Sequence, residues 1–508
     1  MSILRFLFSI LIIQLHSAII QAQQASITYN EPHRPRMHFS PKEKWMNDPN
    51  GMVYHKGVYH LFYQYYPDST VWGPMHWGHA VSKNMVKWKH RPIALFPDSL
   101  GYIFSGSAVV DVSNTSGFGK NSKAPLVAIF THHDPKGEKE KRNDFQYQSL
   151  AYSNDDGKTW IKYAGNPVLK NPGITDFRDP KVIWFENDKK WIMTLAVKDR
   201  IFFYSSPNLK DWAKESEFGE NSGAHGGVWE CPDLFSMEYD GKAVWILIVN
   251  INPGGPNKGS ATQYFLGDFD GKTFLPSDTK TRWLDYGPDE YAGVTWSNTG
   301  DRKVFLGWMS NWQYAQMVPT ERWRSAMTVP RELKIAKTRD GLLVASLPVE
   351  ELSKIKSKPV ILNDIRLSKE FSAPEKIKSI NIPCIVNLSL DEIKNFSIKL
   401  SNQSGDELLI GYDKLQNNYF IDRTKSGITN FGEGFAAKHF APRFTGNSKM
   451  NISLVIDVSS VELFADDGLT VMTEIFFPHS PYNQISFQSV DSTLLKRLEY
   501  IRLRNIWQ

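Results

Sequence analysis

The 508-residue sequence predicts an all-β protein with an N-terminal five-bladed β-propeller followed by a C-terminal β-sandwich. Three observations lead to this prediction. From about position 33 onward, short apolar stretches alternate with turns rich in Gly, Asn, Asp and Pro, and helical periodicity is scarce. A weak repeat recurs about every 60 residues. Fifteen of the 16 tryptophans precede position 340, so the two parts of the chain differ in kind.

The strands of the first part are predicted from apolar runs that are bounded by turn residues. Representative runs are Val58–Tyr66, Leu126–Thr131, Lys190–Val197, Val244–Val249 and Lys303–Trp308. We assign 33–345 to the propeller, which is room for about five blades at about 60 residues each.

The repeat consists of an apolar strand, a polar turn and then an aromatic residue. Its four copies lead to Trp88, Trp160, Trp212 and Phe274, which are 72, 52 and 62 residues apart. Such a period in an all-β region is typical of a propeller with large blades. Chance recurrence of hairpins is the alternative.

The second part begins after a change of composition. Residues 346–360 are rich in Lys, Ser and Glu and are predicted to be a linker, and 361–508 is predicted to be a sandwich. Its strands are shorter and poorer in aromatic residues; examples are Phe396–Leu400, Leu408–Tyr412, Ser453–Val458 and Val461–Ala465. Asp466–Gly468 is a hairpin turn between two such strands.

Residues 1–22 have the composition of a signal peptide. Arg5 supplies a positive charge, Phe6–Leu15 is apolar, and Ala22 is a small residue at the expected cleavage site. A membrane anchor is the alternative, but polar residues interrupt the run. No cysteine lies near the cleavage site, so we expect an exported protein without a lipid or membrane anchor, in the periplasm or the medium.

The overall charge and the cysteines exclude several classes of protein. The net charge of +5 is small and spread along the chain, so no nucleic-acid partner is predicted. Cys231 and Cys384 fall in different parts of the chain, so no disulfide is expected between them. We expect a monomer.

Three short segments place an acidic residue in unusual surroundings. Asp48 lies between an Asn and a Pro, where turn geometry would fix its carboxylate; a simple Asx-turn is the structural alternative. Asp179 follows Arg178, which would keep the acid ionised, although a surface ion pair would have the same sequence. Glu230 lies among apolar and small residues, which would raise its pKa as a general acid requires; a buried Glu paired with an Arg is the alternative.

Acids on separate blades can converge on the axis of a propeller. One ionised carboxylate and one protonated acid are what glycoside hydrolysis requires. The tryptophans support a sugar ligand, and Trp72, Trp77, Trp308 and Trp312 are placed where a pocket can open, although core packing accounts for any single Trp equally well. No metal site is predicted, because the two histidines of His76–His79 would point to opposite faces of a strand. No phosphate-binding loop and no Gly-x-Ser-x-Gly motif are present.

These motifs together resemble the signature of glycoside hydrolase family 32, which contains invertases, inulinases and levanases. The matching segments are Trp45–Gly51, Phe104–Ser107, Phe177–Pro180 and Trp229–Pro232. Ser459–Gly468 also resembles a motif of the family's C-terminal sandwich. The runs Trp72–His79 and Gly307–Tyr314 are most similar to bacterial levanases. The resemblance covers nearly the whole mature chain.

The resemblance implies a five-bladed propeller whose axial funnel retains anomeric configuration without metal or cofactor. Asp48 would be the nucleophile, Glu230 the acid and base, and Asp179 the stabiliser of the transition state. Residues matching the family's fructose pocket are Asn47, Gln64, Trp72, Phe104, Ser105, Arg178, Cys231 and Trp312. Cys231 would be a reduced neighbour of the acid.

The expected activity is exo-hydrolysis of β-2,6 levan with release of fructose, and side activity on inulin and sucrose. Endo-levanase, inulinase and invertase specificities remain open. A related five-bladed family that acts on arabinans or xylans with inversion is an alternative among enzymes. A non-catalytic fructan-binding protein is an alternative of a different class. The only partner expected is the fructan substrate.

Overall fold

The computed structural model describes residues 29–507, in which 34 strands account for most of the regular structure. The predicted all-β class is confirmed. The helices among the described residues are α1 (Pro135–Lys139) and the 3₁₀ helices Glu350–Ile355 and Glu375–Ile377. None of the helices in this range is both long enough and apolar enough to pass through a bilayer. The predicted signal peptide lies outside the described residues.

The first 23 strands of 29–507 form five antiparallel sheets. They are β1 (Lys44–His55), β2 (Val58–Tyr66), β3 (His76–Ser82), β4 (Lys89–Leu95), β5 (Tyr102–Val110), β6 (Leu126–His133), β7 (Gln146–Ser153), β8 (Ile161–Lys162), β9 (Phe177–Phe185), β10 (Lys190–Val197), β11 (Arg200–Ser206), β12 (Ala213–Phe218), β13 (Val228–Tyr239), β14 (Lys242–Asn252), β15 (Ala261–Phe269), β16 (Phe274–Pro276), β17 (Arg282–Trp283), β18 (Tyr291–Thr295), β19 (Val304–Met309), β20 (Trp323–Arg324), β21 (Ala326–Met327), β22 (Arg331–Thr338) and β23 (Gly341–Pro348). The sheet orders are β20-β1-β2-β3-β4, then β5 to β8, β9 to β12, β13 to β16 with β17 on β15, and β18-β19-β22-β23 with β21 on β19. Only β20 pairs in parallel, with β1.

The remaining strands of the described chain form two further sheets. They are β24 (Val360–Arg366), β25 (Cys384–Leu390), β26 (Phe396–Ser401), β27 (Glu407–Asp413), β28 (Asn418–Lys425), β29 (Lys438–Pro442), β30 (Met450–Asp457), β31 (Ser460–Ala465), β32 (Thr470–Ile475), β33 (Gln484–Gln488) and β34 (Leu494–Arg502). The orders are β24-β34-β25-β30-β31-β32 and β29-β28-β27-β26-β33. The two sheets share one apolar core, as expected for a sandwich.

The predicted strands and turns agree closely with the structure. Val58–Tyr66 and Lys190–Val197 coincide with β2 and β10, and the other predicted strands overlap observed ones to within a few residues. The predicted turn Asp466–Gly468 joins β31 to β32, with Asp466 and Asp467 at φ values of 49° and 59° that suit a tight hairpin.

The sequence repeat marks one position in four successive sheets. Trp88, Trp160 and Trp212 each immediately precede the last strand of their sheet, and Phe274 begins β16. The indole of Trp212 donates to the carbonyl of Leu209 at 2.9 Å, so it closes the turn as well as packing. The repeat therefore reflects a shared hairpin and not chance.

The first strands of the five sheets touch one another in a closed cycle. Strand β1 contacts β5, β5 contacts β9, β9 contacts β13, β13 contacts β18, and β18 contacts β1. Apolar cores lie between neighbouring sheets, where each fully buried large side chain contributes about 1.5–3 kcal/mol. Each core contains side chains from both sheets: Phe62 and Phe130, Ile129 and Met193, Phe203 and Phe265, Ile246 and Phe305, and Trp45 and Trp308.

Buried charges join the first five sheets to the last two. His38, which precedes β1, contacts Asp457 through Nδ1 at 2.9 Å and Glu462 through Nε2 at 2.8 Å. Arg331 donates to Glu462 and, at 2.9 Å, to Asp285. All five side chains are fully buried. Removing one member of such a network leaves an unpaired buried charge, which costs about 3–5 kcal/mol.

The protonation of His38 makes this network sensitive to pH. Burial alone would lower the pKa of His38, but the carboxylates of Asp457 and Glu462 outweigh it and raise the pKa to about 9 from 6.5. A raised pKa in the folded state gives stability that is complete below about pH 6.5 and is lost as the pH rises through about 9.

We therefore expect the wild-type urea midpoint to fall between pH 6.5 and pH 9, and His38→Gln to be less stable at pH 6.5 with a flatter dependence on pH over this range. Urea unfolding monitored by tryptophan fluorescence at several pH values measures this. His225→Gln, which alters a partly exposed histidine, is the matched control. A His38→Gln midpoint that falls as steeply as that of the wild type would contradict the assignment.

Candidate active site

Each of the five first strands contains a β-bulge near its beginning. The register shifts place two residues of the first strand opposite one residue of its neighbour. The residue pairs that lie opposite a single residue of the neighbouring strand are Asn47–Asp48, Phe104–Ser105, Asp179–Pro180, Cys231–Pro232 and Ala292–Gly293. Because the five strands are neighbours in a cycle, these bulges bring the predicted site residues to one place.

The bulges explain the prolines of the motifs and some unusual backbone angles. Pro180 and Pro232 lie in bulges, where a missing N–H costs little because the ladder is already interrupted. Asp179 and Cys231 have φ values of 66° and 42°, in the left-handed region that L-residues rarely adopt. Such strained positions re-aim side chains, and here the Asp179 carboxylate and the Cys231 thiol come within 3.7 Å of each other.

Asp48 has donors on both of its carboxylate oxygens. Asn47 Nδ2 donates to Oδ1 at 2.9 Å, Ser105 Oγ donates to Oδ2 at 2.7 Å, and the Cys231 thiol lies 3.5 Å from Oδ2. Trp45 Nε1 donates to the Asn47 amide oxygen at 2.7 Å and so fixes the Asn47 side chain. Burial and the nearby charge of Glu230 raise the pKa of Asp48, while the bonds from Ser105 and Asn47 oppose that rise.

Asp179 lies beside Asp48 on the other side of Cys231. The Cys231 backbone N–H donates to Asp179 Oδ2 at 3.1 Å, and the thiol is 3.7 Å from the same oxygen. Burial raises the pKa of Asp179 to about 7; Arg178 opposes this, and Glu230 and Asp48 add to it. Arg178, 4.0 Å away, lowers the pKa of Asp179 as expected, but burial outweighs it.

Glu230 receives the guanidinium instead. Arg178 donates to Glu230 Oε1 through Nε at 3.2 Å and Nη2 at 3.0 Å, and its Nη1 donates to Asp176 at 2.5 Å. Tyr291 donates its hydroxyl to Glu230 Oε2. The apolar surroundings predicted for Glu230 are therefore not found, and its side chain is 21% exposed toward the opening. The structural alternative considered for Glu230, a Glu paired with an Arg, describes this contact correctly.

The remaining predicted pocket residues surround this cluster at different depths. Gln64 is buried opposite the β1 bulge and donates to the Ile103 carbonyl at 3.1 Å. Trp72 is 36% exposed and meets Phe104 edge-on, with ring centroids 6.0 Å apart. Trp312 packs on Trp45 with a centroid separation of 5.8 Å.

Two tryptophans that the sequence placed near the pocket are core residues. Trp77 and Trp308 are buried, and Trp77 Nε1 donates to the Phe104 carbonyl at 3.0 Å. Neither has a face free for sugar. Tyr291 is the site residue that the sequence missed, because it begins β18 in a segment without any recognisable motif.

The described residues contain no ready metal site and no disulfide. Within 29–507, no group of three or more His, Cys, Asp and Glu side chains is arranged to bind a metal ion. Cys231 and Cys384 are both free and buried, so the expectation that they do not pair is confirmed. Burial, first, and the neighbouring carboxylates raise the pKa of the Cys231 thiol, which keeps it a neutral donor.

Family models match the chain over almost its whole described length. The N-terminal domain model of glycosyl hydrolases family 32 matches residues 38–346, and the C-terminal model of the same family matches 349–502. The chain belongs to glycosyl hydrolases family 32. It is therefore a glycoside hydrolase, and the resemblance noted from its motifs is confirmed.

Individual family 32 proteins are similar over most of the chain. A levanase of Bacillus subtilis (strain 168) is 46% identical over 94% of this chain and 72% of its own length. An extracellular exo-inulinase of Aspergillus niger is 40% identical over 89% of this chain and 91% of its own. The crystal structure of exo-inulinase from Aspergillus awamori superposes with a TM-score of 0.86 at 36% identity, over 94% of this chain and 100% of that one.

The Ser105 hydroxyl lowers the pKa of Asp48 by bonding to its ionised form, so Ser105→Ala is expected to raise that pKa. A bond to a charged group is worth about 1.5–3 kcal/mol, which corresponds to about one unit or more. ¹³C NMR titration of protein labelled at the aspartate carboxyls, with Asp48→Asn to assign the signal, measures it. Ser105→Thr keeps a hydroxyl and should titrate as the wild type does. An unshifted titration in Ser105→Ala would contradict the assignment.

Proposed function

We propose that the protein is a retaining β-fructofuranosidase that removes fructose from the ends of β-2,6 levan, with side activity on inulin and sucrose. One observation carries the proposal. Asp48, Asp179 and Glu230 form a single cluster in which Cys231 joins the first two and Arg178 reaches Glu230 and, at a longer distance, Asp179. Membership of family 32 supports hydrolysis of a glycosidic bond as the reaction.

The contacts support a separate role for each acid. Asp48 has both oxygens held by donors, as an ionised nucleophile requires, and would attack the anomeric carbon of the fructosyl unit. Glu230, 21% exposed against 5% for Asp179, would protonate the leaving oxygen and later activate water. A carboxyl pair about 5–5.5 Å apart is expected for retention of configuration. Asp179 would hold the fructose hydroxyls.

The remaining pocket residues would bind the terminal fructose. Asn47 and Ser105 orient Asp48, and Arg178 orients Glu230. Trp72, with its exposed ring above Phe104, would cover an apolar face of the sugar at the entrance. We assign Gln64 and Trp312 to the wall of the same pocket. No metal or cofactor takes part in the proposed steps.

The architecture that supports this function is a five-bladed propeller over 33–345, a linker over 346–360 and a sandwich over 361–508. The closed cycle of contacts among β1, β5, β9, β13 and β18 supports one blade per sheet. We propose that the protein is exported as a monomer; the composition of residues 1–22 and the extracellular exo-inulinase among its relatives support export.

Removal of either acid of the proposed pair should abolish turnover. Asp48→Ala and Glu230→Ala are each expected to lower kcat for sucrose or levan by about 10³-fold or more, because Asp48 would form the covalent intermediate and Glu230 would transfer the proton in both steps. Unchanged thermal unfolding shows that the variants fold. Glu220→Ala, at an exposed position, is the matched control. Near-normal activity in either acid variant would overturn the assignment.

The substrate and the mode of action are tested by the products. Incubation with levan, inulin and sucrose is expected to release fructose alone, fastest from levan, and NMR of the first-formed anomer should show retained configuration. A ladder of oligosaccharides would identify an endo enzyme, and inversion would exclude the proposed mechanism. Folded protein that binds levan but releases no reducing sugar would be a binding protein.

A further inference from the structure

The strands that carry the acids also line a second cavity, of about 450 Å³. Strand β9 gives Asp179 to the active site and Lys181–Trp184 to the cavity, and β13 gives Glu230 to the site and Asp233–Ser236 to the cavity. Since a strand rises about 3.3 Å per residue, Ile183 lies about 13 Å along β9 from Asp179. The cavity is therefore displaced from the acids toward the other ends of the first strands.

A buried ion pair belongs to the part of the cavity wall nearer the acids along β9 and β13. Lys181 Nζ donates to Asp233 Oδ2 at 3.0 Å and to the Thr295 carbonyl at 2.6 Å. Thr295 also donates to Asp233 Oδ2 through its backbone N–H and its hydroxyl, at 2.6 and 2.7 Å. These bonds tie β9, β13 and β18 together at this level. The active site and the cavity therefore lie at different levels of the same strands.

The wall of the cavity combines aromatic rings with polar groups. Trp184 and Trp245 are only half-buried, so part of each ring is free. Asp233 Oδ1 and Ser297 Oγ are buried atoms for which the described chain supplies no hydrogen-bond partner. Lys303 adds an ammonium group. Flat rings beside donors and acceptors suit a ligand that has both apolar faces and hydroxyl groups.

The charges in the cavity favour a neutral ligand. Asp111 and Asp233 are balanced by Lys181 and Lys303. Both Asp111 oxygens accept bonds from Thr115 and Ser116, and Asp233 is held by Lys181. Neither acid is arranged as a free nucleophile or proton donor, so the site would bind a ligand without cleaving it.

We propose that this cavity is a second, non-catalytic site for a neutral mono- or disaccharide. Its volume lies within the range of about 300–1,000 Å³ that is usual for small-ligand pockets. The choice of fructose as the sugar rests on the proposed function, whereas the site itself does not. Bound fructose would come either from released product or from the end of a fructan chain.

Fluorine NMR of protein labelled with 5-fluorotryptophan can test this, with each signal assigned by a Trp→Phe replacement. Titration with fructose is expected to shift the Trp184 and Trp245 signals along one saturable curve, separate from the curve for Trp72 and Trp312 at the active site. Levan oligosaccharides tested on the inactive Asp48→Ala protein distinguish a chain end from free product. Glycerol is the control for non-specific effects.

Two variants make the test specific. Val112 is 75% exposed and lines the cavity, so Val112→Trp is expected to obstruct its mouth and abolish the Trp184 and Trp245 shifts, while sucrose hydrolysis stays unchanged. Val112→Thr is the matched control and should bind as the wild type does. Trp184→Ala, followed at Trp245, is expected to weaken binding about tenfold through the loss of a stacking face.

The outcomes separate this proposal from the proposed function. Shifts at Trp72 and Trp312 without saturable shifts at Trp184 and Trp245, up to the solubility of the sugars, would overturn the second site alone. Equal shifts in Val112→Trp and in the wild type would also overturn it. Saturable binding in the cavity of a protein that hydrolyses neither levan nor sucrose would uphold the site and refute the proposed function.

Discussion

An extra residue near the beginning of the first strand in each of five sheets sets the direction of the site's side chains. Successive side chains of a regular strand point to opposite faces, so a single added residue reverses every later position. Here the additions fall at the same level in β1, β5, β9, β13 and β18. Asp48, Ser105 and Asp179 lie within these bulges and Glu230 lies directly before one, while residues farther along the same strands pack between sheets.

Bringing the three carboxylates together costs electrostatic free energy, and neighbouring groups reduce that cost. Three carboxylates in one buried place repel one another, which raises the pKa of Asp48 and of Asp179 beyond the effect of burial. Arg178 is directed to Glu230, and Cys231 contributes a backbone N–H and a neutral thiol to the other two acids. An arriving fructose would add hydroxyl donors at the least compensated of these groups.

Much of this architecture could be predicted from the sequence because it is encoded locally. Strand lengths follow from apolar runs between turn residues, and the recurring aromatic residue marks a hairpin whose geometry depends on adjacent residues. The three acids that the structure brings together could be singled out because each lies in a distinctive short motif, such as the Asp-Pro pair at Asp179.

Contacts between distant segments could not be predicted in this way. Arg178 was expected to serve its neighbour Asp179, yet it reaches Glu230 in the next sheet, and Tyr291 joins the same acid from β18. Trp77 looked like a pocket residue because exposure depends on packing between sheets, which a single strand does not encode. The position of each bulge along its strand likewise depends on how that strand pairs with its neighbour, which the sequence of one strand does not encode.

The charged network between the two parts of the chain has a consequence for the order of folding. Arg331 and His38 belong to the first part, but their partner Glu462 lies on β31, more than a hundred residues farther along the chain. During synthesis, the first five sheets are complete before this partner exists, and the Arg331 and His38 side chains must stay hydrated until it arrives. We therefore expect the first five sheets to pack loosely on the side that faces the sandwich. The enzyme reaches its final structure only when the last strands pack against that side.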